Sequence, residues 1–290
     1  MDKNTRICII GGGPAGLSAG MYLEKKGYEN YTILEKSGRV GGKCWSPYFN
    51  GRRYEMGAIM GVPSYYAVHD VEEFCGITHD GPKLNRNYKN KDGKVIEPFE
   101  PKKNILKIPR LLKMKKQLKQ FGELLETKYK GYDVNGHRGV AQGRYDGFAV
   151  TPGREPVSGE NENLKDLALP FSEFCKKNGV ELVQDIWIDQ VITTYALRKH
   201  KNKELIPYED CNKTVLDDLK VMGNPAKEVV NKWTVYYFPH VFSEDYAAGW
   251  YDKVEAMQGK DNTYYAGEIM SFGDMDETAE YSRELVERFF

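Results

Sequence analysis

Three observations predict an α/β fold. Residues 7–10, Ile-Cys-Ile-Ile, form an apolar run of strand length that meets a glycine-rich turn. An Ala/Leu-rich stretch with helical spacing then runs over 15–26 and stops at Gly27, and Tyr31-Thr32-Ile33-Leu34 forms a second strand ending in Glu35. Near the other terminus, residues 262–266 form a strand pattern that ends at Gly267-Glu268, followed by a helix over 276–288.

The first of these carries chemistry in its glycines. Gly11, Gly13 and Gly16 stand in the G-x-G-x-x-G spacing. The first allows a tight turn, the second lets the backbone approach a pyrophosphate, and the third lets helix and strand lie close together. The helix opening at Pro14-Ala15 offers free N–H groups and a positive dipole end to phosphate. Glu35 lies 24 residues beyond Gly11, where an acid reaches ribose hydroxyls. A glycine turn without a ligand is the plain alternative; the complete β-α-β-Glu order disfavours it and predicts a Rossmann-like dinucleotide-binding domain.

Which dinucleotide is decided further on. After Glu35 the chain reads Lys36-Ser37-Gly38-Arg39-Val40-Gly41-Gly42-Lys43, then Gly51-Arg52-Arg53-Tyr54-Glu55-Met56-Gly57. This second glycine pair, which an NAD domain does not need, resembles the amine-oxidase and desaturase-like flavoproteins, where Arg-x-Gly-Gly follows the ribose acid and lines the FAD pyrophosphate. Asn262 to Glu268 resembles their final flavin motif, whose acid addresses the ribityl–pyrophosphate region. The resemblance implies FAD as cofactor, held by Gly11, Gly13, Ala15, Gly16, Glu35 and Lys36. It adds Arg39, Gly41, Gly42, Glu55 and Gly57 from the second stretch, and Gly267 and Glu268 from the third. Arg39 would neutralise pyrophosphate and Glu55 would accept hydrogen bonds in the cleft; an exposed arginine and an ordinary loop carboxylate are the plain alternatives.

A closer resemblance covers most of 5–137 and 164–290. The runs Gly51 to Tyr65 (Arg-Arg-Tyr-Glu-Met-Gly-Ala-Ile-Met-Gly within it), Asp80-Gly81-Pro82-Lys83-Leu84, Ile192-Thr193-Thr194-Tyr195 and Tyr236 to Gly259 are similar to the FAD-dependent polyunsaturated fatty acid double-bond isomerases. That family implies a redox-neutral reaction on a free polyunsaturated fatty acid, linoleic to conjugated linoleic acid, by hydride abstraction and return through flavin N5. Arg86 matches the family arginine that holds the substrate carboxylate, with an exposed hairpin arginine as the alternative. The family carries a further long β-rich stretch between Ile188 and Val191, which this chain lacks. The expected architecture is therefore a Rossmann-like FAD-binding domain from N- and C-terminal segments, with a reduced α+β substrate-side region. A sheet lacking members exposes edges and apolar faces, so self-association is expected to accompany it.

The remaining elements follow in order. Glycines and aromatics over 42–61 predict loops and a short hairpin. Ser64 is placed to cap a helix through Phe74, and 84–88 with 95–97 form a second hairpin around Lys91-Asp92-Gly93. Residues 101–120 hold eight Lys/Arg and no acid, and Leu111, Met114, Leu118, Phe121 and Leu125 form one helical stripe. Such a basic amphipathic helix over 101–125 suits an anionic membrane surface; a surface helix with its stripe in the core is the favoured reading. A loop insert is expected over 138–163. Helices are expected over 170–179, 181–188, 207–222 and, capped by Ser243, 243–257, with strands over 191–196 and 229–238. The domains divide as 1–82 and 259–290 for FAD, with 83–190 and 191–258 on the substrate side.

Composition excludes several classes. The 290 residues carry no formal net charge, with 40% hydrophobic and 29% charged residues, an ordinary balance that indicates no nucleic-acid partner. Cys8, Cys44, Cys75, Cys175 and Cys211 are odd in number and scattered, and the five histidines lack ligand spacing; no metal and a cytoplasmic setting are expected. Two other functions share the flavin motifs: an oxidase or desaturase acting on an amine or isoprenoid, and a flavin-binding protein without turnover.

Overall fold

The computed structural model describes residues 1–58, 61, 65–78, 81, 88–89, 92, 94–96, 108–129, 162–184, 208–233, 235, 239, 241–271 and 273–290. In chain order its elements are β1 (Ile7–Ile10), α1 (Pro14–Lys25), β2 (Tyr31–Leu34), the hairpin β3 (Tyr48–Phe49) and β4 (Arg52–Arg53), α2 (Tyr66–Cys75), and the hairpin β5 (Tyr88–Lys89) and β6 (Val95–Ile96). There follow α3 (Ile108–Glu126), α4 (Glu162–Leu167), α5 (Phe171–Lys177), α6 (Tyr208–Val221), α7 (Ser243–Ala247), α8 (Trp250–Glu255) and α9 (Met275–Phe289). Two compact units result: Met1–Asp80 with Tyr129–Ala168 and Trp233–Phe290, and Gly81–Lys128 with Leu169–Lys232.

In the first unit β1 and β2 pair in parallel, Ile7 opposite Tyr31 and Ile10 opposite Leu34. Alternation turns Ile7, Ile9, Tyr31 and Ile33 towards α1. The helix lies close because glycines face the sheet: a Cβ on Gly16 would stand 2.0 Å from the Gly11 carbonyl oxygen, and one on Gly20 3.0 Å from the Tyr31 ring. The opposite face is bare, with Ile10 88% and Leu34 53% exposed, as expected of a sheet with few members.

The C-terminal helix α9 completes this layer. Met21, Tyr22, Leu23 and Tyr28 form one core with Val286, and Met270, Tyr281 and Leu285 form another. The Ser282 hydroxyl donates to the Ala15 carbonyl at 3.0 Å, and Lys26 Nζ to that of Val286 at 3.2 Å. Asp274 caps α9 by accepting from the Glu277 N–H at 2.8 Å. Asp276, fully buried, accepts from Val68 N at 3.0 Å and so ties α2 to α9. Burial, with the Glu255 carboxylate beside it, pushes the Tyr281 phenol well above its ordinary value, so it acts as a donor to Glu255.

The second unit is built on α3. Phe121 meets Phe171 and Phe174 edge-on at 6.2 and 6.3 Å. Gln117 is buried, its Oε1 accepting from Leu182 N at 2.8 Å, and Gln120 donates to the Asn178 carbonyl at 2.9 Å. The stripe therefore faces protein, with Lys113, Lys115, Lys116 and Lys119 exposed opposite it. Leu125, expected on that stripe, is exposed instead, because the buried face turns towards Gln117. Among the described residues no helix is long and apolar enough to cross a membrane.

Several elements differ from expectation. The strand at 262–266 is not formed: Asp261 and Asn262 take positive φ, and the Gln258 amide satisfies both the N–H and the carbonyl of Tyr265 at 2.8 Å each. A side chain thus occupies the place of a neighbouring strand. Residues 229–233 of the second expected strand pair with nothing in a ladder, and Val229 and Val230 are exposed. The helix over 243–257 is two helices, broken where Gly249 takes φ 74°, and its N-cap is Phe242, with Ser243 already inside α7. Tyr65 holds the N-cap of α2; Ser64 lies outside the described residues. So do Arg86, 84–87, 101–107, 138–161, 185–188 and 191–196, while the start of α4 occupies 162–163.

Leu285→Ala should lower unfolding free energy by about 2–5 kcal/mol, the usual cost of a large-to-small change in a core, with the exposed Ile77→Ala within about 0.5 kcal/mol of the parent. Urea midpoints measure both; equal midpoints would remove Leu285 from the core.

Candidate functional site

The site forms where three separated glycine segments of the first unit meet. Gly11, at φ +105°, turns the chain out of β1 while its N–H extends the ladder to the Leu34 carbonyl at 2.7 Å. The following helix is twelve residues long with Pro14 in its first turn, so its leading N–H groups lack intrahelical partners and face outward. A Cβ built on Gly13 would find nothing nearer than Gly42 Cα at 3.8 Å. That open floor over a helix N-terminus offers the space and the N–H groups that a phosphate cradle requires.

Glu35 closes one side. Its carboxylate accepts from Ser37 N and Gly12 N, each at 2.7 Å, and these backbone donors pull its pKa from 4.5 to about 2. An ionised carboxylate has about four acceptor positions, so two bonds to the backbone leave capacity for ribose hydroxyls. Lys36 is exposed beside it.

The second segment presses onto the first. Gly41 N donates to the Gly12 carbonyl at 2.7 Å, and a Cβ on Gly42 would stand 3.0 Å from Gly13 Cα. Gly57 crosses behind, where a Cβ would lie 2.0 Å from the Lys43 carbonyl oxygen. Glu55 accepts from the Ser46 hydroxyl. Arg39 donates through Nη2 to the Gly42 carbonyl at 2.7 Å and through Nη1 to those of Val40 and Cys44 at 3.2 Å. Its guanidinium therefore shapes the loop from within.

The third segment arrives from the C-terminal end. Gly267, at φ +115°, brings the chain to Ala15, whose Cβ lies 4.0 Å from a Cβ built on the glycine. Glu268 then forms an ion pair with Lys43. The structure thus brings together Gly11, Gly13, Ala15, Gly16, Glu35, Gly41, Gly42, Gly57, Gly267 and Glu268. Lys43 was missed in the sequence, although it directly follows Gly42. Gln258, which holds Tyr265, carries no motif that would have revealed it. Among the described residues no His, Cys, Asp and Glu cluster could hold a metal ion.

The family described as flavin containing amine oxidoreductase matches residues 14–143. The crystal structure of a CLA-producing fatty acid isomerase from P. acnes superposes with a TM-score of 0.79 at 30% identity, covering 100% of both chains. The chain belongs to the fatty acid isomerase branch of the flavin-containing amine oxidoreductases. Among curated relatives, a polyenoic fatty acid isomerase of Ptilota filicina is 33% identical over 76 residues, 26% of this chain and 15% of that protein. Protein anon-37Cs of Drosophila lebanonensis is 41% identical over 56 residues, 19% of this chain and 10% of that protein. This isomerase-family chain therefore matches these two curated relatives over only 10% and 15% of their own lengths.

The family's cofactor, FAD, fits what is present. An open glycine floor, a helix N-terminus and an ionised acid at the end of β2 are the groups that a pyrophosphate and a ribose require.

The Glu35 carboxylate stabilises the folded turn fully above its unfolded value of 4.5, and that contribution is lost as pH falls through about 2. A carbon-13 NMR titration should place its midpoint near 2; a midpoint at 4.5 would mean that the Ser37 and Gly12 bonds do not form in solution.

Proposed function

We propose that the chain binds FAD in this cradle and acts on a polyunsaturated free fatty acid, moving a double bond without net oxidation. The observation that carries the reading is the open floor at Gly13, framed by Glu35, Gly42 and the N-terminus of α1, in a chain 30% identical over its whole length to a solved fatty acid isomerase. Bound FAD supplies a ring that accepts and returns a hydride.

The chain's own residues bind and orient. The N–H groups at the start of α1 and the Gly41-Gly42 loop receive the pyrophosphate, and Glu35 receives the ribose. Arg39 keeps that loop in shape through three carbonyls, and the Lys43–Glu268 pair fastens the C-terminal segment beside it. Arg86, by its match to the family arginine, holds the fatty carboxylate through charge-assisted hydrogen bonds. The bare face of β1 and β2 leaves Ile10 and Leu34 in water. Turnover should therefore be slow, since a misplacement of ~1 Å costs on the order of 100-fold in rate.

Two measurements test this. Purified chain titrated with FAD should bind it, and Gly13→Val should not, because a side chain there occupies the pyrophosphate floor. The loaded chain given linoleic acid should raise conjugated-diene absorbance with no oxygen uptake. Oxygen consumption with substrate would identify an oxidase instead, and flavin binding with neither signal would identify a binding protein without turnover.

Arg86→Ala should weaken use of the free acid by on the order of 10–100-fold, the range of a lost charge-assisted bond, while the methyl ester is nearly indifferent. Equal losses on acid and ester would assign Arg86 to folding.

A further inference from the structure

Trp233 belongs to no motif and lies in a stretch expected to be an aromatic strand, yet the first unit places it against the glycine loop. Its indole meets that of Trp45 edge-on, with ring centroids 5.2 Å apart at 68°. The Arg39 guanidinium carbon lies 5.2 Å from the Trp45 ring and 5.7 Å from the Trp233 ring. In its own plane the same guanidinium donates to the carbonyls of Val40, Gly42 and Cys44. The fork thus meets backbone carbonyls through its two terminal nitrogens, with the paired indoles gathered on one side of it.

We propose that Trp233 is a positioning residue of the dinucleotide site, holding Arg39 and through it the Gly41-Gly42 loop against the turn before α1. The inference rests on the assignment of that turn to FAD. A guanidinium is planar, and an aromatic face attracts it most strongly where water is excluded. Once the indoles fix the plane, the directions of the N–H bonds are fixed too, and with them three carbonyls within five residues. Those carbonyls set the loop from which Gly41 N reaches the Gly12 carbonyl and Gly42 touches Gly13. Trp233 therefore acts two contacts away from the pyrophosphate floor. Its position far along the chain also means that the N-terminal loop takes its shape only once the C-terminal part of the unit is in place.

Trp233→Leu keeps an apolar side chain but removes the aromatic face, and Trp233→Phe keeps a face. Two readouts apply: FAD affinity by titration, and alkylation of Cys44 resolved by peptide mass spectrometry. Cys44 is half-buried and its carbonyl is one of Arg39's acceptors; the exposed Cys75 serves as internal reference. Trp233→Leu should weaken FAD binding on the order of 10-fold, about 1.4 kcal/mol, and speed Cys44 alkylation several-fold with Cys75 unchanged. Trp233→Phe should recover most of both. Arg39→Lys should resemble Trp233→Leu, since an ammonium cannot span three carbonyls in one plane. Parent behaviour of Trp233→Leu in either readout overturns the proposal, as does an equal loss in Trp233→Phe. A parent that binds no FAD refutes the nucleotide assignment itself, while the Cys44 rates still decide whether the clamp exists.

Discussion

The close approach of backbone to backbone at Gly12–Gly13 and Gly41–Gly42 is the constraint on which the rest of the first unit depends. The bond from Gly41 N to the Gly12 carbonyl, and the near contact of Gly42 with Gly13, leave no room for a side chain at Gly41 or Gly42, while the floor at Gly13 stays open. Gly16 repeats the condition one helical turn later, against the carbonyl of Gly11. Hydrophobic burial alone would not set such geometry, because apolar contact is non-directional. Direction comes from the hydrogen bonds of Glu35 and Arg39, one a carboxylate gathering N–H groups and the other a guanidinium gathering carbonyls. The two charged groups satisfy opposite halves of the same backbone.

Around this junction the helices act as a frame. The contact between α1 and α9 joins the first and last parts of the chain, and Ser282 bonds the Ala15 carbonyl in the first turn of α1. Gln258 and the Tyr281–Glu255 pair hold the segment leading to Gly267 where a strand would otherwise do so. A side-chain amide pairs with one residue, whereas a strand pairs with several, so the segment follows its own path with Asp261 and Asn262 in the left-handed region. The sheet stays at two strands among the described residues, with Ile10 and Leu34 exposed. A site supported chiefly by helices and loops is well suited to gripping a nucleotide by its phosphates. A dry channel for an acyl chain demands more enclosing surface.

How much was legible follows from the range of each signal. The β1–α1–β2 unit, α5, α6 and α9 were visible because local periodicity and caps specify them: Gly76, Gly179 and Gly223 take positive φ just past α2, α5 and α6. Strands expected over 229–233 and 262–266 are not formed, because a strand exists only if a partner strand is present. The break at Gly249 was present in the letters but overridden by a continuous apolar pattern on either side. Ser243 looked like a cap by residue type, while the backbone begins the helix one residue earlier, after Phe242.

By itself the sequence determined the glycine turn after β1, the order of the three glycine segments and the membership of a flavoprotein family. Glycine spacing and an acid at a fixed distance are read along the chain and need no knowledge of distant contacts. Only the tertiary structure decided what supports them: Lys43 on Glu268, Gln258 on Tyr265, and Trp45 with Trp233 over Arg39. Those pairs join residues 7 to 225 positions apart, and nothing in a local pattern constrains which partner a long polar or aromatic side chain finds. Their identity is set by where the folded backbone leaves a carbonyl, a charge or a ring face to be met.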